Sequence, residues 1–220
     1  MKSFLFLVLV SAAVRSEIAD INLYTDLLFA SINHLMESEL MKITSVNLPA
    51  SSIKPSISFS ESLLTGLNSL KRTGNNTALI DGNNTTYDIH LGLGLLQQSF
   101  QLLTLTGNVM SGGYRVRDNS LHLAFTRHQG TTCNVTLEDI HIERLANVEF
   151  FSSKTEFDGG NVESIFAVKV VPFLNNLIKG QWMTIEGSLQ DMICDQDLMM
   201  GSDKFIEYLK LFLMPITKNV

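Results

Sequence analysis

Histidine, cysteine and carboxylate side chains are where this chain could do chemistry. Of its five histidines, His90, His122 and His141 fall on the polar side of strand-like runs, His128 falls near a turn, and His34 lies in a helical pattern. A zinc site built on His122 and His128 would need further ligands, and no spacing along the chain supplies them, so no metal site is expected. Asp88, Glu138, Asp139 and Glu143 could include a close carboxylate pair across strands, but as a sequence they read as a charged outer face. Neither Cys133 nor Cys194 has a histidine in a recognisable nucleophile motif with it. There is no GxSxG, HExxH or GxxxxGK[ST], and no GxGxxG after a strand. Gly92 and Gly94 fall inside a strand rather than in a phosphate loop, and are expected to relieve crowding where a sheet curls. A binding protein without a cofactor is therefore expected, not an enzyme.

Periodicity assigns the elements that carry these groups. Within residues 85–150 there are four alternating runs, the signature of strands with one buried face. Tyr87, Ile89, Leu91, Leu93 and Leu95 share one side, opposite Thr86, Asp88, His90, Gly92 and Gly94. Leu103, Leu105 and Val109 follow, then Leu121, Leu123 and Phe125, then Val135 and Leu137. Turns are expected at Gly112-Gly113, Asp118-Asn119 and Gly130. After Leu137 the apolar positions slip to Ile140 and Ile142, which implies a bulge and a bend in the fourth strand.

A long, bent, one-sided sheet needs an apolar partner. After Asp158-Gly159-Gly160 the period changes to 3.6, and Leu174, Leu177, Ile178, Trp182, Ile185, Leu189, Met192 and Ile193 form one stripe. Pro172 fits the first turn of such a helix. Gly180 and Gly187 weaken it by about 1 kcal/mol each relative to Ala, and would let the sheet approach closely. Residues 162–171, apolar on more than one side, are an earlier helix or a buried segment. Upstream, residues 17–41 read as an amphipathic helix through Ile21, Tyr24, Leu28, Ile32, Leu35 and Met36. Residues 47–55, bracketed by Pro49 and Pro55, read as a linker. Ile57 and Phe59 then begin a strand, Gly66 marks a bulge or corner, and residues 77–80 form a short strand between turns. Asp203 caps a last apolar helix, residues 203–214, stopped by Pro215. Helix, strands, then helices give an α+β chain: a long curved antiparallel sheet wrapped around a long helix in the C-terminal half, with an amphipathic helix at the N-terminus.

The first residues carry an address. Lys2 precedes an apolar run, residues 4–10, and Ser11, Ala12, Ala13 and Ser16 follow. This is the pattern of a secretory signal peptide, residues 1–16, ahead of a single domain, residues 17–220. Its removal takes two of the 16 basic residues and none of the 22 acidic ones, leaving a net charge near −8. No basic cluster interrupts that charge, so neither nucleic acid nor an anionic membrane is an expected partner. Although 45% of residues are hydrophobic, no later segment reaches the roughly 18 uncharged apolar residues of a membrane span, and stable membrane insertion is not expected. In an oxidising compartment Cys133 and Cys194 pair by default, joining the bent strand to the later helical segment. Asn75, Asn83, Asn84 and Asn134 head N-x-[ST] sequons and are candidates for glycosylation.

Two segments carry a resemblance. Residues 66–74, Gly-Leu-Asn-Ser-Leu-Lys-Arg-Thr-Gly, and residues 144–148, Arg-Leu-Ala-Asn-Val, resemble the corresponding segments of the mite group 7 allergens, and the strand spacing between them is similar over roughly residues 20–195. That family belongs to the tubular lipid-binding superfamily, with the juvenile hormone-binding and takeout proteins and the bactericidal/permeability-increasing proteins. The resemblance implies a super-roll fold and a secreted carrier of lipids or hydrophobic small molecules. The cysteine pair departs from the mite allergens and resembles the bactericidal branch instead. The acidic charge departs from that branch's cationic tip.

The expected ligand site is an apolar cavity between sheet and helix. Its candidate lining is Tyr87, Ile89, Leu91, Leu93, Leu103, Leu105, Leu121, Leu123 and Phe125 from the strands, with Leu174, Ile178, Trp182, Ile185 and Leu189 from the helix. The alternative is an extracellular interaction or innate-recognition module with a filled core, meeting a protein partner through the helix at residues 203–214.

Overall fold

Three long antiparallel strands carry the molecule. The computed structural model describes residues 16–37, 45–48, 51–54, 57–60, 62–105, 107–154 and 163–194. A short strand β1 (Glu17–Asp20) leads into helix α1 (Asn22–Glu37), followed by β2 (Ser45–Leu48), β3 (Ser51–Lys54), β4 (Ile57–Phe59), β5 (Ser62–Thr65), β6 (Leu70–Arg72) and β7 (Thr77–Asp81). The long strands come next: β8 (Asn84–Leu93) and β9 (Leu96–Leu105), which together make one interrupted strand, then β10 (Asn108–Gln129) and β11 (Cys133–Ser152). Helical segments α2 (Glu163–Ile165), a π-helical turn (Phe166–Val170), α3 (Val171–Gly180) and α4 (Trp182–Cys194) complete the described chain. The eleven strands form one antiparallel sheet. One edge of β10 pairs with β9 and then with β8, and its other edge pairs with β11 along most of its length. The short strands β4 and β5 flank β9, and β6 and β7 flank β8.

This architecture corrects the expected fold class. It is a mostly antiparallel sheet with short helices, not a sheet wrapped around a long C-terminal helix. The longest helix described is α1, with 16 residues. The C-terminal stretch keeps its apolar stripe but is broken by the π turn and again at Gln181. There the amide reaches back to Ile178 O at 3.0 Å, an i→i−3 bond that tightens and ends the turn. Gly180, beside it, is a poor helix former. Neither Gly180 nor Gly187 meets the described sheet: among the described residues, its own helix backbone aside, a Cβ on either would find no atom within 4 Å.

The four expected runs are four strands, β8 to β11, but two of the expected turns are corrected. Gly112-Gly113 and Asp118-Asn119 make no turn and lie inside β10. The glycines admit neighbours instead. A Cβ on Gly113 would sit 2.1 Å from Gln98 O and 2.6 Å from the Phe151 ring. The turn into β10 is made at Gly107, with φ +85°, and the turn into β11 falls after Gln129, at Gly130. The expected bulge is present: the register against β10 slips at Glu138. A second slip at Glu143 went unforeseen. Upstream, Glu17–Asp20 is a strand and α1 begins only at Asn22, while the expected linker overlaps the end of β2 and contains β3. Residues 1–15 and 203–214, with the leader and last helix expected there, lie outside the described residues.

The helical stretch lies along β11, which among the described strands pairs only with β10. A polar stripe on the helices meets that strand's backbone. Gln190 Oε1 accepts Val135 N–H at 2.6 Å and Gln190 Nε2 donates to Cys133 O at 3.1 Å. Glu186 Oε2 accepts Leu137 N–H at 2.8 Å, and Asn175 takes both backbone groups of Ile142. These bonds satisfy backbone groups that an edge strand otherwise leaves open.

Candidate functional site

The sheet has two chemically distinct faces near the middle of β10. On one face, Leu123, Phe125, Val135, Leu137 and Ile140 pack with Ile185 and Leu189 of α4 into a buried cluster. Half-buried Tyr87, Ile89, Leu121, Ile178, Trp182, Met192 and Ile193 surround it. The Tyr87 and Phe125 rings stack with centroids 5.0 Å apart. Nine of the fourteen expected lining residues therefore meet in one seam: Tyr87, Ile89, Leu121, Leu123, Phe125, Ile178, Trp182, Ile185 and Leu189. The others do not join it. Leu91 is half-buried outside that cluster. Leu93 packs beside Met36, Leu64 and Leu67 near α1. Leu103 packs with Phe100 and Met110, and Leu174 with Val116, Leu145, Val148 and Phe166. The side chain of Leu105 lies outside the described residues. The physical reason is length: the β8–β9 strand spans 22 residues, about 70 Å at ~3.3 Å per residue, too far for one site.

Arg127 follows Leu121, Leu123 and Phe125 on the same alternation, at the end of this apolar face. Its Nε is buried and has no hydrogen-bond partner among the described residues. Burial raises the pKa of the Tyr87 hydroxyl above its ordinary value, and the charge of Arg127 opposes that shift only in part. The Cys133–Cys194 disulfide, with Cα atoms 5.5 Å apart, ties the start of β11 to the end of α4 beside the seam. A separate cleft of about 470 Å³ lies between α1 and β6, lined by Asp26, Phe29, Asn33, Leu70 and Arg72 among others.

The opposite face carries a polar row that spacing along the chain did not reveal. His122 stands directly across from His90 on β8 and from His141 on β11. The next row is Asp88, Ala124 and Asp139, and the small Ala124 leaves room for both carboxylates to lean towards His122. The contacts alternate acid and base. Glu143 Oε2 lies 3.0 Å from His90 Nδ1, and His90 Nε2 lies 3.3 Å from Asp88 Oδ1. Asp88 Oδ1 is 2.9 Å from His122 Nε2, His122 Nδ1 is 3.0 Å from Asp139 Oδ2, and that oxygen is 2.9 Å from His141 Nδ1. Ser120 Oγ donates to Glu143 at 2.5 Å and touches Thr73 Oγ1 at 2.6 Å.

Partial burial raises the pKa of Asp139, but hydrogen bonds and charge from His122 and His141 outweigh it and hold the carboxyl below its ordinary value. Glu143 is likewise raised by burial and more than offset by Ser120 and His90. Glu138 is exposed and takes no part, and His128 bonds Asn84 and Thr136 two rows away. The four sequon asparagines, Asn75, Asn83, Asn84 and Asn134, are all exposed. Among the described residues no helix is long and apolar enough to cross a membrane. No family model and no curated relative matches the chain, so its function is read from this geometry.

Proposed function

We propose that this is an extracellular protein that binds a lipid or another hydrophobic small molecule along the seam between the apolar face of β8, β10 and β11 and the helices α3 and α4. The observation that supports it is the seam itself. Around a buried centre, Tyr87, Ile89, Leu121, Ile178 and Trp182 keep part of their apolar surface uncovered by other described residues. Covering such surface is favourable by about 25 cal/mol per Å², without directional bonds, so the site takes long apolar chains with little selectivity among them. Arg127 supplies the polar contact at one end, and its Nε, unpartnered among the described residues, suits the carboxylate or phosphate of an anionic amphiphile. The disulfide agrees with an oxidising, extracellular setting.

Native mass spectrometry with lipid extraction, on protein secreted from eukaryotic cells, tests the reading. One apolar molecule per chain is expected. Ile178→Asp, at a half-buried position, should leave a folded protein that no longer loads. Leu123→Asp, at a residue only 9% exposed, should unfold it. A bare protein that takes up no fluorescent fatty acid would overturn the proposal in favour of a second reading, an extracellular interaction module. That reading draws on α1, where Leu23, Tyr24, Leu27 and Leu28 are 68%, 67%, 59% and 51% exposed.

A further inference from the structure

A neutral imidazole offers one N–H and one lone pair. Placed between two carboxylate oxygens, it satisfies one of them and turns a lone pair towards the other. His122 is in that position, with Nε2 at 2.9 Å from Asp88 Oδ1 and Nδ1 at 3.0 Å from Asp139 Oδ2. A cation at the other nitrogen, a proton or a metal ion, resolves this. On the Asp139 side a second imidazole nitrogen, His141 Nδ1, converges on the same oxygen. The donor atoms of His122, Asp139 and His141 all lie within 4.8 Å of one another.

We propose that His122 Nδ1, His141 Nδ1 and Asp139 Oδ2 bind one divalent d-block cation, of which Zn²⁺ is the representative. Bonds of about 2.0–2.1 Å in a tetrahedral site put ligand atoms about 3.3 Å apart, so the two N···O contacts, at 2.9 and 3.0 Å, open by a few tenths of an ångström, and the two nitrogens, within 4.8 Å of each other, settle to the same spacing. Two nitrogens and one carboxylate oxygen suit zinc, copper or nickel; magnesium and calcium prefer all-oxygen sites. With Nδ1 on the metal, Nε2–H of His122 donates to Asp88, the outer contact that fixes the tautomer of a metal-bound histidine. Asp88 is thus a positioning residue.

Asp88, His90 and His122 form a second candidate group. His122 has a single lone pair to give, so the two groups compete for it and the stoichiometry is one. The Asp139 group holds its nitrogens at 2.9 and 3.0 Å, whereas His90 stands at 3.3 Å from Asp88. His90 is also engaged with Glu143. Side-chain exposures of 39% for His141 and 47% for Asp139 leave a path for the ion and a fourth position for water or a donor from a partner. The row lies on the face opposite the apolar seam, so this site stands independently of the ligand proposal.

The test is titration of the purified full-length chain with Zn²⁺ alone, read by calorimetry against a competing chelator, and with Co²⁺, whose visible absorption reports a tetrahedral site. The expected result is one ion per chain. His122→Ala and His141→Ala should each remove it, and Asp88→Asn should weaken it by roughly 10–100-fold as an outer-shell change. His128→Ala should change nothing. Circular dichroism of each variant separates loss of metal from loss of fold, and the exposed position of His141 makes that variant the mildest. No zinc bound above the level of the His122→Ala/His141→Ala double variant overturns the proposal. So does zinc that survives in His141→Ala but is lost in His90→Ala, which would place the ion on the other group.

Discussion

Asn175 pairs with Ile142 as a neighbouring strand would: its Oδ1 accepts the Ile142 N–H at 2.7 Å and its Nδ2 donates to Ile142 O at 3.0 Å. The device recurs twice. Asn119 holds Leu93 at 2.7 and 2.9 Å, beside the break between β8 and β9, and Asn33 on α1 holds Leu70 at 2.8 and 2.9 Å, where β6 begins. A carboxamide presents one acceptor and one donor side by side, as a peptide unit does, so it can continue a ladder where the backbone leaves a gap. On β11 it also fixes where the helices lie, and through them the seam.

Replacing Asn175 with Leu should therefore cost about 1–3 kcal/mol, because two backbone groups of Ile142 lose their partners at once. Urea denaturation measures the total, and hydrogen exchange locates it. The Ile142 amide should exchange faster while amides of β8 do not change. Unaltered exchange at Ile142 would mean that the edge is satisfied in another way.

The polar row shows what was legible in the sequence and what was not. Alternation placed His90, His122 and His141 on one side of their strands, and the slip from Leu137 to Ile140 announced a bulge. Their meeting depends on that bulge. Counting back from the turn at Gln129 and Cys133 without it sets His122 opposite Ile140; the extra residue Glu138 moves the register by one and brings in His141. The second slip, at Glu143, turns that carboxylate towards Ser120 and His90. Register is a property of pairing, and no local spacing encodes it. The glycines misled for a related reason: Gly112-Gly113 has the composition of a turn, but its cause lies on the strands alongside. The helix misled because its stripe is continuous across Gln181 even though its hydrogen bonds are not.

Two glycine substitutions should move stability in opposite directions. Gly113→Ala puts a methyl 2.1 Å from Gln98 O and 2.6 Å from the Phe151 ring, both held by packed strands. A loss of about 1–3 kcal/mol or more is expected from overpacking. Gly187→Ala, inside α4 with no described atom outside its own helix backbone within 4 Å, should gain about 0.5–1 kcal/mol from helix propensity alone. Thermal melting of the two variants side by side checks both signs.

Removing the disulfide should loosen the helices from β11 more than it disturbs the sheet. The bond closes a sequence separation of 61 residues, and the chain-entropy relation for a loop of that size gives about 4 kcal/mol as the ceiling. The bonds from Asn175, Glu186 and Gln190 remain in place, so Cys133→Ser/Cys194→Ser should still fold. Its early unfolding should appear in hydrogen exchange as protection lost first across α4. Uniform loss of protection over α4 and β10 would show that seam and sheet unfold as one unit.

Arg127 gives the ligand reading its sharpest test. If the seam holds an amphiphile with its anionic end at Arg127, then Arg127→Leu removes one charge-assisted contact and leaves the apolar burial intact. Such a contact contributes about 1.5–3 kcal/mol, a loss of roughly 10–100-fold in affinity. The loss should appear for a long-chain fatty acid and not for its methyl ester, which covers the same apolar surface without the charge. Displacement of a fluorescent fatty acid by each compound, in both proteins, separates the two effects. An equal loss for acid and ester would assign Arg127 a packing role. No loss for either would place the head group elsewhere along the seam, whereas a selective loss for the acid fixes both the ligand's class and its direction of entry.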